Sequence, residues 1–253
     1  MKNIIYTLLI FTLFCGCEQF VEVDLPNDQL TKELVFKDIN LAKAAMAGVY
    51  RSLDERGFLS GSTMGGGIYF GCYADEQISY QSASSDLTQL YQTSLNPQSK
   101  IVKSLWETTY NQLYSVNAIL EGLKRSVTLP ENEKRQLRGE GLLIRALLHL
   151  HLSGTYGAVP YVTETNYHIN QHIGKVPETI LYQLAAKDID EATELLTAIA
   201  PKGQRIRPTK MAAYALRARI ALYGKDWENA VTFATKVLSD PSYKMESDLD
   251  KVF

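Results

Sequence analysis

Cysteine is scarce in this 253-residue sequence: of three, Cys15 and Cys17 border the N-terminal apolar run, which leaves Cys72 as the one thiol for a folded region. No disulfide framework can form within that region, so its fold must rest on packing. An excess of one charge is lacking too, with 26 basic and 28 acidic residues and no Lys/Arg block to neutralise a phosphate backbone. Nucleic acid is excluded as a partner on that ground. The one long apolar run, 4–14, is about half of the ~20 residues that a membrane-spanning helix needs.

Catalytic signatures are equally sparse. Gly61 and Gly66 are followed by Gly67 and Ile68, where a phosphate-cradling loop needs Lys and Ser or Thr. There is no G-x-S-x-G elbow and no H-E-x-x-H. Of the four histidines, His149 and His151 lie about 200° apart around a helix and cannot share a metal. His168 and His172 have i, i+4 spacing in a polar stretch that offers no third ligand, so solvated side chains are expected there. Asp75 and Glu76 are adjacent carboxylates, whereas a glycosidase sets two carboxyls across a sugar roughly 5 to 10 Å apart. Neither a catalytic apparatus nor a cofactor or metal site is expected.

One lysine precedes the apolar run, which has the length of a signal-peptide core, so the chain is expected to be exported. The run leads through Phe14, Cys15 and Gly16 into Cys17, with a small residue just before the cysteine. That pattern resembles a bacterial lipobox. In this reading residues 1–16 are removed and Cys17 carries the lipid, an anchor to which each buried methylene contributes about 0.8 kcal/mol. The acidic Glu18, Glu22 and Asp24 that follow resemble the tract that directs many Bacteroidetes lipoproteins to the cell surface. The alternative is an ordinary secretory signal with two incidental cysteines. Residues 17–35, with Pro26, Asn27 and Asp28 among isolated apolar positions, suit an extended tether.

Residues 36–253 read as all-α. Asn40 can cap a helix in which Leu41, Ala45, Val49 and Leu53 recur every fourth residue up to Gly57. A second helix carries Val102, Trp106, Thr109, Leu113, Val116, Leu120 and Leu123 along one face. Thr128 and Glu131 have capping-box spacing ahead of a third, and its segment 137–152 is apolar around much of its circumference, as in a helix buried on most sides. Gly154 and Gly157 end it, residues 159–162 read as a short extended piece, and 163–175 as a polar loop. Pro177 opens a further helix with Leu181, Ala185, Ile189, Ala192 and Leu196. Two more, 209–223 and 227–238, meet at Gly224-Lys225-Asp226, with Ala218, Ala221 and Ala230 where an antiparallel pair approaches closely. That pair resembles one tetratricopeptide repeat, and the expected architecture is a set of stacked helical pairs.

Residues 58–99 break the pattern. Five glycines and a serine-rich stretch carry Tyr69, Phe70, Tyr73, Tyr80 and Tyr91, with one turn of helix allowed at 86–91. A long irregular excursion in a helical domain is a candidate for function, and its aromatic content argues against disorder. Tyrosine supplies 15 of the 25 aromatic residues. Its flat apolar face and edge hydroxyl suit stacking on sugars or contacting peptides. Tyr110, Tyr114 and Tyr214, at helical positions, are expected in the core or between helices, whereas a loop tyrosine has no helical face to serve.

These residues resemble a known family. Cys17 with Asp24-Leu25-Pro26, Ala47-Gly48-Val49-Tyr50, Trp106 and Tyr110 with Asn117-Ala118, Gly139-Glu140-Gly141 before Arg145-Ala146-Leu147, and Tyr156-Gly157-Ala158-Val159-Pro160 are similar to the SusD/RagB outer-membrane lipoproteins. The similarity runs on through Lys175-Val176-Pro177 and Gly224-Lys225-Asp226-Trp227. It implies a lipid-anchored, surface-exposed protein that captures an oligosaccharide, or in the RagB branch a peptide, and passes it to a SusC-type TonB-dependent transporter. It also implies ligand contacts from loops, here the 58–99 excursion. On loop position and side-chain chemistry the candidates are Tyr80, Tyr91 and Asn96, with Tyr73 and Asp75 behind them. Family members run to about twice this length, so an N-terminal portion of a longer chain is expected. Two other readings stay open: a non-catalytic helical scaffold on the outer membrane, and a lipid-anchored hydrolase using Asp75.

Overall fold

A computed structural model describes residues 32–198, 206–243, 247–248 and 250. Cys17, the signal segment and most of the tether lie outside the described residues. Ten helices run through those that are described: α1 (Lys32–Val35), α2 (Ile39–Glu55), α3 (Gly66–Tyr73), α4 (Asp86–Tyr91), α5 (Lys100–Arg125), α6 (Glu131–Tyr156), α7 (Tyr167–Asn170), α8 (Glu178–Leu195), α9 (Lys210–Tyr223) and α10 (Trp227–Leu238). No β-strand occurs among them, and two isolated bridges pair Gly57 with Gly65 and Val159 with Val176. No described helix is long and apolar enough to cross a membrane.

The helices stack in chain order, α2 on α5, α5 on α6, α6 on α8, α8 on α9 and α9 on α10. The central position of α6 explains its near-continuous apolar circumference: Leu137, Leu148 and Leu152 are buried along one side, and Leu142 and Ala146, about 140–180° around the helix, are buried too. Met46, Leu113, Leu181 and Ile189 join them, each side chain contributing about 1.5–3 kcal/mol by leaving water. Gly141 decides how closely α5 and α6 approach, since a Cβ there would stand 2.9 Å from Leu120 Cδ2. The expected all-α stack of helical pairs is the observed one.

Several local expectations need correction. Asp38, not Asn40, caps α2, its Oδ1 accepting from the Asn40 amide at 2.6 Å. Both residues suit the position, and one acceptor placed two residues earlier satisfies the first free amides. Thr128 forms no capping box: its hydroxyl donates to Lys37 O at 3.3 Å, and Pro130 stands at the helix cap without a side-chain hydrogen bond. Thr109, Leu113, Val116 and Leu123 of α5 are buried as their spacing predicts, joined by Ile101, Leu105 and Gln112, whereas Val102 and Trp106 are half-buried. Residues 32–35, read as the end of the tether, form the turn α1, and α7 interrupts the 163–175 loop.

The largest correction is α3, a helix inside the glycine-rich stretch. Its composition gives poor helix propensity, so tertiary contacts make it. The Gly66 amide donates to Gly57 O at 2.8 Å and the Gly67 amide to Ser60 O at 3.0 Å, filling first-turn donors that no side chain serves. The 57–60 segment lies so close that a Cβ at Gly66 would collide with the Phe58 carbonyl. Glycine is needed there because backbone abuts backbone.

Candidate functional site

Several of the residues that carry the family resemblance, Arg145, Asn117 and Tyr110 among them, meet in a buried polar hub. Arg145, on α6, makes a two-pronged contact to Asp188 on α8, Nε to Oδ2 at 2.7 Å and Nη2 to Oδ1 at 2.6 Å. Tyr161 donates to the same Oδ2 at 2.6 Å and stacks on the His149 ring at 3.9 Å. His149 donates from Nδ1 to Arg145 O at 2.9 Å and accepts at Nε2 from the Val162 amide at 3.0 Å. Asn117 donates to Val162 O at 3.0 Å, and Tyr110 to Pro160 O at 2.9 Å. The effect is to strap the extended 159–163 segment across α5 and α6, which holds α8 in place behind it.

The shifts of these groups follow from burial. Burial presses the Arg145 pKa down, but hydrogen bonding and charge from Asp188 outweigh it and the net direction is up. The Tyr161 phenol is raised first by burial and then by the Asp188 charge. Burial lowers His149 to about 4, against the opposing Arg145 carbonyl. A second hub joins Tyr50, whose hydroxyl donates to Glu140 at 3.0 Å, to Arg207, which pairs with Glu140 at 2.6 Å. The residues of the two hubs therefore build the frame. Among the described residues no cluster of His, Cys, Asp and Glu could hold a metal.

The exposed candidates gather on the 58–99 segment, where α3 and α4 pack together and α4 packs on α5. Tyr80 is 91% exposed. Both of its neighbours are tied to the buried Thr88 of α4: Ser79 Oγ lies 2.8 Å from Thr88 Oγ1, and that hydroxyl reaches Gln81 O at 3.3 Å. The loop tip is thus pinned on each side of a fully presented aromatic ring. Tyr73, 49% exposed, ends α3. Asp75 follows it in the left-handed region at φ 60°, exposed. Tyr91 is half-buried at the end of α4. Asn96 is exposed but partly committed, since its Oδ1 accepts from the Gln98 amide in the turn before α5.

Sequence reasoning passed over Phe70. It lies one helical turn before Tyr73 on the outer side of α3, stacked on Phe58 at 5.9 Å, while Tyr69 and Cys72 face inward. The 3.6-residue period would have separated these faces had the helix been recognised. Met64 and Ile78 add exposed apolar surface on the same segment. A separate crevice of about 830 Å3 between α5, α6 and residues 163–166 is lined by charges that answer one another, with Arg125 on Glu121 at 2.8 Å and Arg138 on Glu191.

Thr88→Val is expected to cost about 1 kcal/mol of stability, the net worth of one hydroxyl network, and to loosen the tip. Faster amide hydrogen exchange at 79–82, with the core unchanged, is the observation that checks it.

The described residues thus form a stack of helical pairs that presents a pinned aromatic loop. Comparison with known proteins gives its family: the SusD-like family, described as starch-binding and associating with the outer membrane, matches residues 20–222. The chain belongs to the SusD-like family. A SusD-like protein of Formosa agariphila is 24% identical over 99% of this chain and 48% of its own length. Among solved structures, a laminarin-binding SusD-like protein superposes with a TM-score of 0.69 at 20% identity, over 82% of this chain and 45% of that one. Surface glycan-binding protein A of Bacteroides uniformis gives 0.70 at 17% identity, over 83% and 48%. The chain spans about half the length of these relatives. The family is a binding family associated with the outer membrane.

Proposed function

We infer that this protein captures an oligosaccharide at the outer cell surface, anchored through lipid on Cys17, and delivers it to a SusC-type TonB-dependent transporter. The observation that carries the reading is Tyr80, a ring exposed at 91% on a tip pinned to Thr88. Exposing a large aromatic while fixing the backbone around it suits stacking on a sugar face, because the ordering cost is met before the ligand arrives. Tyr73 and Phe70 extend apolar surface on the adjoining helix, and Asp75 and the Asn96 amide offer an acceptor and donors for hydroxyls. Titration of a panel of oligosaccharides against the protein without its lipid tests this. Binding without cleavage is expected, and silence across every glycan counts against it.

Tyr80→Ala is expected to weaken glycan binding roughly 2- to 13-fold, from about 0.5–1.5 kcal/mol of lost stacking. As a surface change it should leave stability within about 0.5 kcal/mol. Unchanged affinity in Tyr80→Ala and Tyr73→Ala together would shift the ligand away from this loop. Peptide retention in place of glycan retention would instead favour the RagB-like branch.

A further inference from the structure

The aromatic loop differs from the rest of the chain in charge. Residues 57–99 contain none of the chain's 26 Lys and Arg, and their charged side chains are Asp75, Glu76 and Asp86. Asp75 and Glu76 closely follow Tyr73 at the end of α3, and both are exposed. The exposed polar groups around them are neutral, among them Gln77, Gln81, Ser82, Ser84, Gln92 and Gln98. Of the cations at the margins, Arg56 lies 3.9 Å from Glu55 and Lys103 lies 3.6 Å from Glu107. Lys100 opens α5 beside Asp86, whose Oδ2 accepts the Lys100 amide at 2.6 Å.

An anionic ligand is held by Arg or Lys, or by the amides of a helix N-terminus. The loop has no Arg or Lys, and protein acceptors already stand at each helix N-terminus on or beside it. In α3 the first amides donate to Gly57 O and Ser60 O, in α4 the Thr88 amide donates to Ser85 Oγ at 3.1 Å, and in α5 the first amide donates to Asp86. A cluster of cations does exist, but at the other end of α5, where Lys124, Arg125 and Arg138 line the crevice of about 830 Å3. At 1.5 Å per residue Lys124 stands about 36 Å along α5 from Lys100, several Debye lengths at physiological salt. Those cations exert no pull at the loop. A neutral sugar needs only ring faces and uncharged hydrogen-bonding groups, which Tyr80, Tyr73 and Phe70 and their surroundings supply. A uronate or sulfate group would instead be set beside two carboxylates with no counter-charge.

We propose that the 58–99 surface selects uncharged oligosaccharides and excludes acidic ones, those bearing uronate or sulfate groups, with Asp75 and Glu76 supplying the repulsion. This rests on the glycan-capture reading and narrows it to a ligand class. The test is competition on the lipid-free protein at about 20 mM and about 0.5 M NaCl. The tightest binder among neutral gluco-, xylo- and manno-oligosaccharides is labelled, and oligogalacturonates and sulfated galactan oligosaccharides of the same length compete against it. At low salt the acidic sugars should need at least ~10-fold more than the unlabelled neutral one to displace it. Glu76→Lys should strengthen the acidic competitors about 3-fold at low salt and not at high salt, where a surface charge is screened. An unchanged gap in Glu76→Lys overturns the repulsion. An acidic oligosaccharide that displaces the neutral one at equal or lower concentration overturns the selection and leaves glycan capture standing. So does a panel in which only acidic sugars bind and Tyr80→Ala weakens them. Silence with every sugar, neutral or acidic, removes the capture reading itself and this proposal with it.

Discussion

Asp188→Ala is expected to destabilise the protein by about 3–5 kcal/mol, because it strands the buried Arg145 guanidinium without its partner. Arg145 and Asp188 are 9% and 8% exposed, so water cannot replace the lost carboxylate. Three donors lose their acceptor at once: Arg145 Nε, Arg145 Nη2 and the Tyr161 hydroxyl. For a domain of this size each kcal/mol moves the Tm by about 2–4 °C, which puts the midpoint roughly 10 °C lower. Thermal unfolding followed by circular dichroism measures it. The double variant Arg145→Met with Asp188→Leu should recover part of the loss, since no charge is stranded, while the Tyr161 hydroxyl still lacks its acceptor. A shift of about 1 °C in Asp188→Ala would mean the pair is solvated, and the hub would lose its structural role.

The second large effect concerns acid. His149 is wholly buried, and both ring nitrogens are already engaged, Nδ1 as donor to Arg145 O and Nε2 as acceptor from the Val162 amide. Burial opposes the charge and the Arg145 cation adds to it, so the folded pKa sits at about 4 rather than 6.5. The unfolded chain therefore binds a proton between pH 6.5 and 4 that the folded chain refuses. Stability falls as pH drops through that window, by about 3 kcal/mol in all, and is indifferent to this group above it. Urea unfolding at pH 7, 6, 5 and 4 should show the slope. His149→Gln should be less stable at pH 7 yet lose less on acidification. Some slope should persist, because burial and then the Arg219 charge lower His151 in the same direction. Parallel pH profiles for the two proteins would remove His149 from the acid response.

Both effects converge on the 159–163 strap, and that clarifies what the family motifs encode. Asn117, Arg145 and the Tyr156–Pro160 stretch mark the chain as SusD-like in sequence, yet each side chain in the hub is spent on another part of the fold. Tyr156 donates to Val102 O at 2.6 Å and meets Trp106 edge-on at 5.1 Å. Such residues hold the frame, and none of them lies on the exposed 58–99 loop.

What the sequence determined by itself is what is local. Apolar residues at helical spacing placed α2, α5, α6, α8, α9 and α10, and the turn residues Gly57, Gly157 and Pro177 set their limits, because periodicity and backbone restriction act within a few residues. The stacking class followed from those elements and their short connections. Tertiary structure decided the rest. Helix α3 exists because Gly57 O and Ser60 O supply the acceptors its first turn needs, a contact invisible in a glycine-rich string. The partners of Arg145 and Tyr50 lie 43 and 90 positions away, too far for any local pattern to pair them. Tyr80 was legible as a loop tyrosine, but its rigid presentation was not: a hydroxyl on α4 fixes the backbone on either side of it, and only the packing of α4 brings that hydroxyl there.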